Sequence, residues 1–186
     1  ATMEPISAAI PRVALVTGAA RRLGRAIALG LAGAGFDIAL HVRESLAAAE
    51  ETAEAARALG RRAVVLRADL AREAEVAHLA GAAARALGPL GVLVNNASTF
   101  ERDEWHDVTR TSWDAHLECN LRAPFVLTQQ MARALPEDAE GVVVNLLDER
   151  VWALTPHFIS YTVSKAGLWA LTQSLALALA PRIRVA

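Results

Sequence analysis

The sequence contains little of what disulfide-bonded, metal-binding or membrane-spanning proteins need. Its 186 residues include one cysteine, Cys119, so it can form neither an internal disulfide nor a cysteine-based metal site. No apolar run is long and uninterrupted enough to cross a bilayer. The histidines are scattered, without the spacing of metal ligands: His41, His78, His106, His116 and His157. We therefore expect no metal site.

An excess of charge of one sign is also lacking. The chain has 19 Lys and Arg against 20 Asp and Glu, a formal net charge of −1, so nothing predicts binding to nucleic acid or to an anionic membrane. Residues 1–11 lack a charged stretch followed by an apolar core. We expect them to form a flexible N-terminal arm, followed by one domain over residues 12–186 in a cytoplasmic protein.

Apolar residues, by contrast, make up 54% of the chain, and most are Ala, Leu and Val. Short β-rich runs alternate with longer helical patterns, as in βαβ units. The predicted strands are residues 12–17, 36–42, 62–67, 91–94, 141–147 and 183–185, and the intervening patterns predict helices. Such alternation predicts an α/β fold with a parallel sheet, right-handed crossovers and helices on both faces. We therefore expect a three-layered, doubly wound sheet of the Rossmann type.

A glycine turn follows the first predicted strand. The segment from Thr17 to Gly24 reads Thr-Gly-Ala-Ala-Arg-Arg-Leu-Gly and leads directly into a helical pattern. In a dinucleotide fold, a small turn residue lets the backbone approach the pyrophosphate, and the helix N-terminus favours its negative charge. An ordinary turn is the alternative, but the order strand, turn, helix favours nucleotide binding.

The end of the second predicted strand bears on the choice of cofactor. It reads Val42-Arg43-Glu44-Ser45. Arg43 and Ser45, with Arg22 nearby, favour the 2′-phosphate of NADP, whereas Glu44 would favour the ribose hydroxyl of NAD. Alternatively, these are solvated loop charges. We expect NADP(H).

Polar residues follow later predicted strands or interrupt a helix. Asp69 could cap the next helix, accept a hydrogen bond from an adenine amino group, or do both. Pro124 should kink a predicted helix over residues 111–135 and free backbone carbonyls near Asn120. Asp148 falls at the carboxyl end of the fifth strand, where ligands bind in open α/β sheets, although a turn or cap residue is the ordinary alternative.

A tyrosine and a lysine stand four residues apart near the start of the last predicted helix, at Tyr161 and Lys165. Positions i and i+4 share a helix face. The ammonium group would then lower the Tyr161 pKa and prepare the phenol for proton transfer to or from a carbonyl or imine. A simple surface pair is the alternative.

Together these residues resemble the short-chain dehydrogenase/reductase family. The resemblance rests on Thr17-Gly18…Gly24, Asp69, Asn95-Asn96-Ala97, Asn120, Tyr161 and Lys165, in this order. It implies that Tyr161 is the proton donor, and that Lys165 holds the nicotinamide ribose and lowers the Tyr161 pKa. Asn120 would position a water in a proton relay.

Two departures from the common family pattern resemble its pteridine reductase branch, which includes dihydromonapterin and dihydrofolate reductases. Arg22 replaces the middle glycine of the turn, and Asp148, 13 residues before Tyr161, replaces the usual serine. The branch implies that Phe100 stacks on the pterin and that Ser98 contacts cofactor or pterin. Alternatively, Phe100 packs as a loop aromatic and Asp148 is a structural replacement in an enzyme that acts on another carbonyl.

The resemblance implies three sets of site residues. The catalytic set is Asn120, Asp148, Tyr161 and Lys165. The set that binds NADP(H) is Gly18, Arg22, Leu23, Gly24, Arg43, Ser45, Asp69, Leu70, Asn95, Ala97, Tyr161 and Lys165. The substrate set is Ser98, Phe100, Asp148 and Tyr161.

The resemblance also implies an activity and an assembly. The expected activity is an NADPH-dependent reduction of a dihydropterin or dihydrofolate-like compound. A reductase of another ketone or aldehyde, or a catalytically silent NADP-binding protein, are the alternatives. Pairing through the helices that contain Asn120 and Tyr161 would give a homodimer or homotetramer. Family members usually continue with a Pro-Gly loop, a substrate-covering segment and a seventh strand, and we expect this C-terminal part of the fold to be absent from these residues.

Overall fold

The computed structural model describes residues 6–186 and contains one parallel six-stranded sheet. The strand order is β3-β2-β1-β4-β5-β6, and every neighbouring pair is parallel. The strands are β1 (Val13–Val16), β2 (Asp37–Val42), β3 (Ala63–Arg67), β4 (Val92–Asn95), β5 (Gly141–Asn145) and β6 (Ile183–Val185). The predicted doubly wound α/β fold is therefore confirmed.

In the part of the chain that the structure describes, six α-helices accompany the sheet. They are α1 (Arg22–Gly33), α2 (Leu46–Ala58), α3 (Glu73–Leu87), α4 (Arg110–Leu117), α5 (Ala123–Ala134) and α6 (Ile159–Leu179). A 3₁₀ turn, Glu149–Val151, lies between β5 and α6. Within residues 6–186, no helix combines the length and the apolar character needed to span a membrane.

The sheet separates two apolar cores, which makes the fold three-layered. Successive strand side chains point to opposite faces of a sheet. Leu15 and Leu93 belong to the core formed with α3, α5 and α6. Val16 and Leu40 belong to the core formed with α1 and α2. Because both faces are covered, the strands consist of continuous apolar runs rather than alternating polar and apolar residues.

The predicted helix over residues 111–135 is interrupted as expected near Pro124. A π-helical turn, Glu118–Arg122, separates α4 from α5, and Pro124 lies in the first turn of α5. The backbone stays right-handed helical through the turn, and the interruption falls where Pro124 lacks the N–H that would continue the hydrogen-bond ladder. Asn120 is buried within the wide turn.

The N-caps of α2 and α3 make no side-chain hydrogen bond, so Asp69 does not cap α3 as the sequence suggested. Arg72, not Asp69, occupies the N-cap of α3, and the Asp69 carboxylate accepts a hydrogen bond from the Ala71 N–H within the preceding turn. Ser45 occupies the N-cap of α2, but its side chain makes no capping hydrogen bond. The local turn geometry, which single-residue preferences do not specify, decides both outcomes.

The expected N-terminal arm is described only in part, since residues 1–5 lie outside the described residues. Residues 6–11 pack against the domain. Ile10 is buried in the core with α1 and α2, and the Ala9 carbonyl accepts a hydrogen bond from the Glu140 N–H at 3.0 Å. Burial of one large apolar side chain fixes the end of this segment against the domain. The flexibility of the arm stays a prediction.

Candidate functional site

A groove of about 550 Å³ lies at the carboxyl ends of β1 and β4, where the strand order reverses direction. Open α/β sheets bind ligands at this position. Most of the residues predicted to bind a cofactor or substrate line the groove. They are Gly18, Arg22, Leu23, Gly24, Arg43, Asp69, Leu70, Ala97, Ser98 and Phe100.

The two glycines of the turn, Gly18 and Gly24, are packed too tightly to carry a side chain. Gly18 has a φ of +64°, and a Cβ on Gly24 would lie 2.0 Å from the Gly18 carbonyl oxygen. The side-chain amide of Asn96 donates to the carbonyls of Thr17 and Gly18, at 3.0 and 3.2 Å. Asn96 therefore holds the turn. The sequence analysis noted Asn96 in a motif but assigned it no role.

Arg22 takes the backbone conformation that the usual glycine would adopt. Its φ is +50°, a left-handed value that costs a residue with a Cβ about 1–2 kcal/mol. The chain retains this strain at the mouth of the groove, where the side chain is exposed. The position is consistent with the predicted contact to phosphates.

His41, which the sequence analysis treated as an ordinary polar residue, links two parts of the groove. Its Nδ1 accepts a hydrogen bond from the Gly18 N–H at 3.1 Å, and its Nε2 lies 2.9 Å from the Ala68 carbonyl. Burial lowers the His41 pKa, so the ring is neutral at pH 7 with its proton on Nε2. The sequence did contain one signal for this role, namely a histidine inside an otherwise apolar predicted strand.

Four residues predicted to bind the cofactor do not line the groove: Ser45, Asn95, Tyr161 and Lys165. Asn95 is buried in the sheet, where its amide donates to Asn145 Oδ1 at 2.8 Å. Ser45 lies at the start of α2 and outside the groove lining. Arg43 does line the groove, but its guanidinium lies 3.3 Å from the Glu44 carboxylate. Both partners are largely exposed, so this pair is weak and leaves Arg43 available to an anion.

Asp148 and Tyr161 are joined by a hydrogen bond beside the groove. The phenol donates to Asp148 Oδ2 at 3.0 Å. Arg150 binds the same carboxylate through its backbone N–H, at 2.9 Å, and its guanidinium, at 3.0 Å. Burial would raise the Asp148 pKa, but these hydrogen bonds and the positive charge outweigh it and hold the pKa below its usual value. Asp148 is therefore a carboxylate at neutral pH.

The Tyr161 pKa is raised, whereas the sequence analysis expected Lys165 to lower it. Burial is the largest cause, and the hydrogen bond to the Asp148 carboxylate adds to it. Lys165 is itself buried, which lowers the pKa of its ammonium group, and its Nζ donates to the Leu146 carbonyl at 2.8 Å. The lysine thus bonds to backbone rather than to the phenol. A phenol that stays protonated at neutral pH is the form that a proton donor needs.

Asn120 is fully hydrogen-bonded below the same part of the groove. Its amide nitrogen donates to the Thr99 carbonyl and to Ser164 Oγ, at 2.9 and 3.0 Å. Its oxygen accepts from the Thr99 N–H and the Ser98 hydroxyl, at 2.8 and 3.2 Å. Asn120 therefore fixes the segment that follows β4. Its predicted contact with a water stays a prediction.

Phe100 forms an aromatic wall with a residue that the sequence analysis missed. Its ring stacks on Phe158 with centroids 4.6 Å apart and meets the Tyr161 ring edge-on at 4.5 Å. The Arg150 guanidinium lies 5.3 and 5.0 Å from the two phenylalanine rings. Phe100 is 51% exposed, so the wall is accessible next to the phenol. Phe158 and Arg150 both lie in the predicted substrate region, but no spacing rule pointed to them.

Comparison with known proteins identifies a family and related structures. A model of the short chain dehydrogenase family matches residues 12–186. The crystal structure of FolM alternative dihydrofolate reductase 1 from Brucella canis, complexed with NADP, is similar with a TM-score of 0.89 and 46% identity. That alignment covers 93% of this chain and 70% of the other.

Other relatives are more distant. A short chain dehydrogenase from Burkholderia cenocepacia in complex with NADP has a TM-score of 0.86 and 38% identity, over 94% of this chain and 71% of the other. A short-chain type dehydrogenase/reductase from Picea abies is 34% identical over 89% of this chain and 64% of its own length. The chain thus spans just under two thirds of the length of that curated relative.

Proposed function

The chain belongs to the short-chain dehydrogenase family, and we propose that it is an NADP(H)-dependent reductase of a dihydropterin or dihydrofolate-like compound. The hydrogen bond between Tyr161 and Asp148, at 3.0 Å, is the observation that carries the proposal. It places a carboxylate, in the position of the usual family serine, directly beside the proposed proton donor. The likeness to the Brucella FolM structure supports the same substrate class.

The groove fits an NADP(H) cofactor. Gly18 and Gly24 line the groove, and the absence of side chains at both lets the turn and the start of α1 pack closely at the place where a phosphate would bind. Gly18, Gly24 and Arg22 would hold the pyrophosphate, Arg43 the 2′-phosphate and Asp69 the adenine side. Lys165 would hold the ribose. When bound, NADPH would supply the hydride. The neighbours that contain NADP support this cofactor.

Tyr161 and Asp148 would divide the remaining chemistry. Tyr161, protonated at neutral pH, would give its proton to the reduced C=N nitrogen. Asp148 is ionised and can only accept hydrogen bonds, so it would bind the amino and ring N–H donors of a pterin. A serine hydroxyl could offer only one such acceptor site while it donates elsewhere. The carboxylate thus orients the ring and keeps the phenol directed at it.

The exposed Phe100 ring would supply the surface on which a planar pterin stacks. Offset stacking of aromatic rings contributes about 0.5–1.5 kcal/mol beyond the burial of apolar area. Phe158 stacks on Phe100 and the Arg150 guanidinium lies near the same ring, and these contacts hold Phe100 beside Tyr161. A simple ketone would gain little binding free energy from contact with this wall.

The test of the proposal is Asp148→Ser, assayed by NADPH oxidation with dihydrobiopterin, dihydrofolate and a panel of simple ketones. We expect kcat/KM for the pterins to fall about 100-fold, because a site built for hydrogen bonds loses its acceptor. Activity with ketones, which need no such acceptor, should fall less than about tenfold. Glu149→Ser, an exposed carboxylate next in the chain, is the control and should change neither.

Two results would contradict the proposal. Wild-type turnover of ketones alone would make the protein a general carbonyl reductase and leave Phe100 as packing. NADPH binding without turnover of any compound would favour a silent nucleotide-binding protein. The longest native form of the protein should be used, since the chain covers only part of its relatives' length.

A homo-oligomer is part of the proposal. An apolar groove of about 570 Å³ runs between the π-helical turn, α5 and α6, and includes Leu121, Phe125 and Leu171. These are the helices through which the family resemblance implies subunit pairing. A second copy of the chain would cover this apolar surface. Light scattering at micromolar concentration should give a dimer or tetramer, and a monomer would contradict this part of the proposal.

A further inference from the structure

Asp103 lies buried in the segment between β4 and α4, although most residues of that segment are exposed. Its side chain is 5% exposed. The carboxylate accepts hydrogen bonds from the Ser160 N–H, at 3.1 Å, and from the Ser160 hydroxyl. Its backbone carbonyl accepts from the Phe158 N–H at 2.9 Å. Asp103 thus satisfies donors at the N-terminus of α6, where Phe158 itself provides no side-chain cap.

The charge of Asp103 suits this position. The N-terminus of a helix carries a partial positive charge, which favours a carboxylate placed against it. A buried carboxylate needs such compensation, because burial of an unpaired charge is costly. Asp103 therefore acts as a cap for α6 that comes from a distant part of the chain.

His116 extends the cluster. Its Nε2 accepts a hydrogen bond from the Glu101 N–H at 3.0 Å, so Nε2 carries no proton. In a neutral ring the proton is then on Nδ1, which lies 2.7 Å from Ser160 Oγ. The Ser160 oxygen accepts a hydrogen bond from this N–H, and the Ser160 hydroxyl donates a hydrogen bond to the Asp103 carboxylate. The donors and acceptors therefore match along the whole series, and Ser160 and His116 are 0% and 1% exposed.

This network connects the two sides of the proposed substrate site. On one side, the Glu101 N–H that it binds follows directly after Phe100. On the other side, the network binds the N–H groups of Phe158 and Ser160, which come three and one positions before Tyr161. The His116 ring also meets the Tyr161 ring at 5.9 Å, edge to face. Movement at any member would change the position of Phe100 relative to Tyr161.

We infer that Asp103, Ser160 and His116 are positioning residues that hold the stacking wall and the proton donor in register, and so set the geometry of substrate binding. None of the three is itself part of the groove lining. Fully satisfied buried networks of this kind specify one arrangement, whereas an apolar cluster would allow several. The inference rests on the proposed roles of Phe100 and Tyr161.

The experiment compares Ser160→Ala and Asp103→Asn with a matched control, Asp107→Asn. Asp107 lies in the same segment, is exposed and accepts only the Glu104 N–H. Ser160→Ala removes the central hydroxyl. Asp103→Asn is milder, because an amide oxygen can still accept from the Ser160 N–H. Each variant is measured for kcat, KM and NADPH Kd, and for amide hydrogen exchange at Glu101, Phe158 and Ser160.

We expect Ser160→Ala to raise KM and to lower kcat, each by roughly tenfold, because small misplacements of reacting groups cost rate. Asp103→Asn should lie between Ser160→Ala and wild type. NADPH Kd should stay within about threefold, and exchange at the three amides should speed up. The control should match wild type in every measurement.

Other outcomes overturn the inference in distinguishable ways. If both variants bind NADPH and keep kcat and KM within about twofold, with only the melting temperature lowered, the network is structural alone. If wild type reduces only a ketone, the proposed substrate class fails, while the same comparison with that ketone still decides the inference. If wild type reduces nothing, the proposed function and the inference fail together.

Discussion

Tyr161→Phe should lower kcat by about a thousandfold while the NADPH Kd changes by less than about threefold. A positioned general acid contributes about 10²–10⁴ in rate, and the substitution removes only the phenolic oxygen. The remaining ring can keep its edge contact with Phe100, whose centroid lies 4.5 Å away. Stopped-flow or steady-state NADPH oxidation measures kcat, and fluorescence titration measures binding.

The same variant tests the ionisation state of the phenol. Tyr161 is the one tyrosine in the sequence, so the near-ultraviolet difference spectrum between wild type and Tyr161→Phe reports this group. Burial and Asp148 raise its pKa above the ordinary value of about 10, so less than half should be phenolate at pH 10. The contribution of the protonated phenol to the free energy of unfolding is therefore full below the pKa that tyrosine has in the unfolded chain. It is lost as the pH rises through the higher pKa that Tyr161 has in the folded protein. Phenolate at pH 8 would contradict this account.

Gly24→Ala should abolish measurable NADPH binding, with a rise in Kd of at least about 100-fold. The new Cβ would lie 2.0 Å from the Gly18 carbonyl oxygen and 2.6 Å from Asn96 Nδ2. The first neighbour is backbone of the turn, and the second is the side-chain amide that holds the turn through the Thr17 and Gly18 carbonyls, so neither can move aside without opening the turn. Forcing the turn open displaces the N–H groups that a phosphate would need.

The matched control for this prediction is Gly30→Ala in the same helix. A Cβ at Gly30 meets nothing within 4 Å, so the change adds helix propensity without a clash. We expect Gly30→Ala to keep the wild-type Kd and to stabilise the fold by about 0.5–1 kcal/mol. Calorimetric titration and thermal melts measure both quantities. Wild-type NADPH affinity in a folded Gly24→Ala variant would show that the turn is not the phosphate site.

The folding pattern was readable from the chain because it depends on local order. Apolar runs such as residues 141–145 must be buried on both faces, and glycines placed after them must turn the chain. The interruption near Pro124 likewise follows from the chemistry of one residue. The positions of Gly18 and Asp148 at the same edge of the sheet follow in turn, because the carboxyl ends of parallel strands meet there.

Contacts between distant segments were decided by tertiary structure alone. Asn95 and Asn96 are neighbours, yet Asn95 turns into the sheet toward Asn145, while Asn96 holds the glycine turn. Asp103 and Ser160 are separated by 57 positions, and no spacing rule joins them.

The Tyr161 pKa shows the same difference between what local sequence determines and what tertiary structure decides. Local spacing correctly placed Lys165 and Tyr161 on one helix but gave the wrong direction for the pKa, because burial and the Asp148 contact dominate. Periodicity and turn chemistry act over a few residues, so they determine elements and their order. Burial and hydrogen-bond partners depend on the whole packed chain, and these decide protonation and geometry at the site.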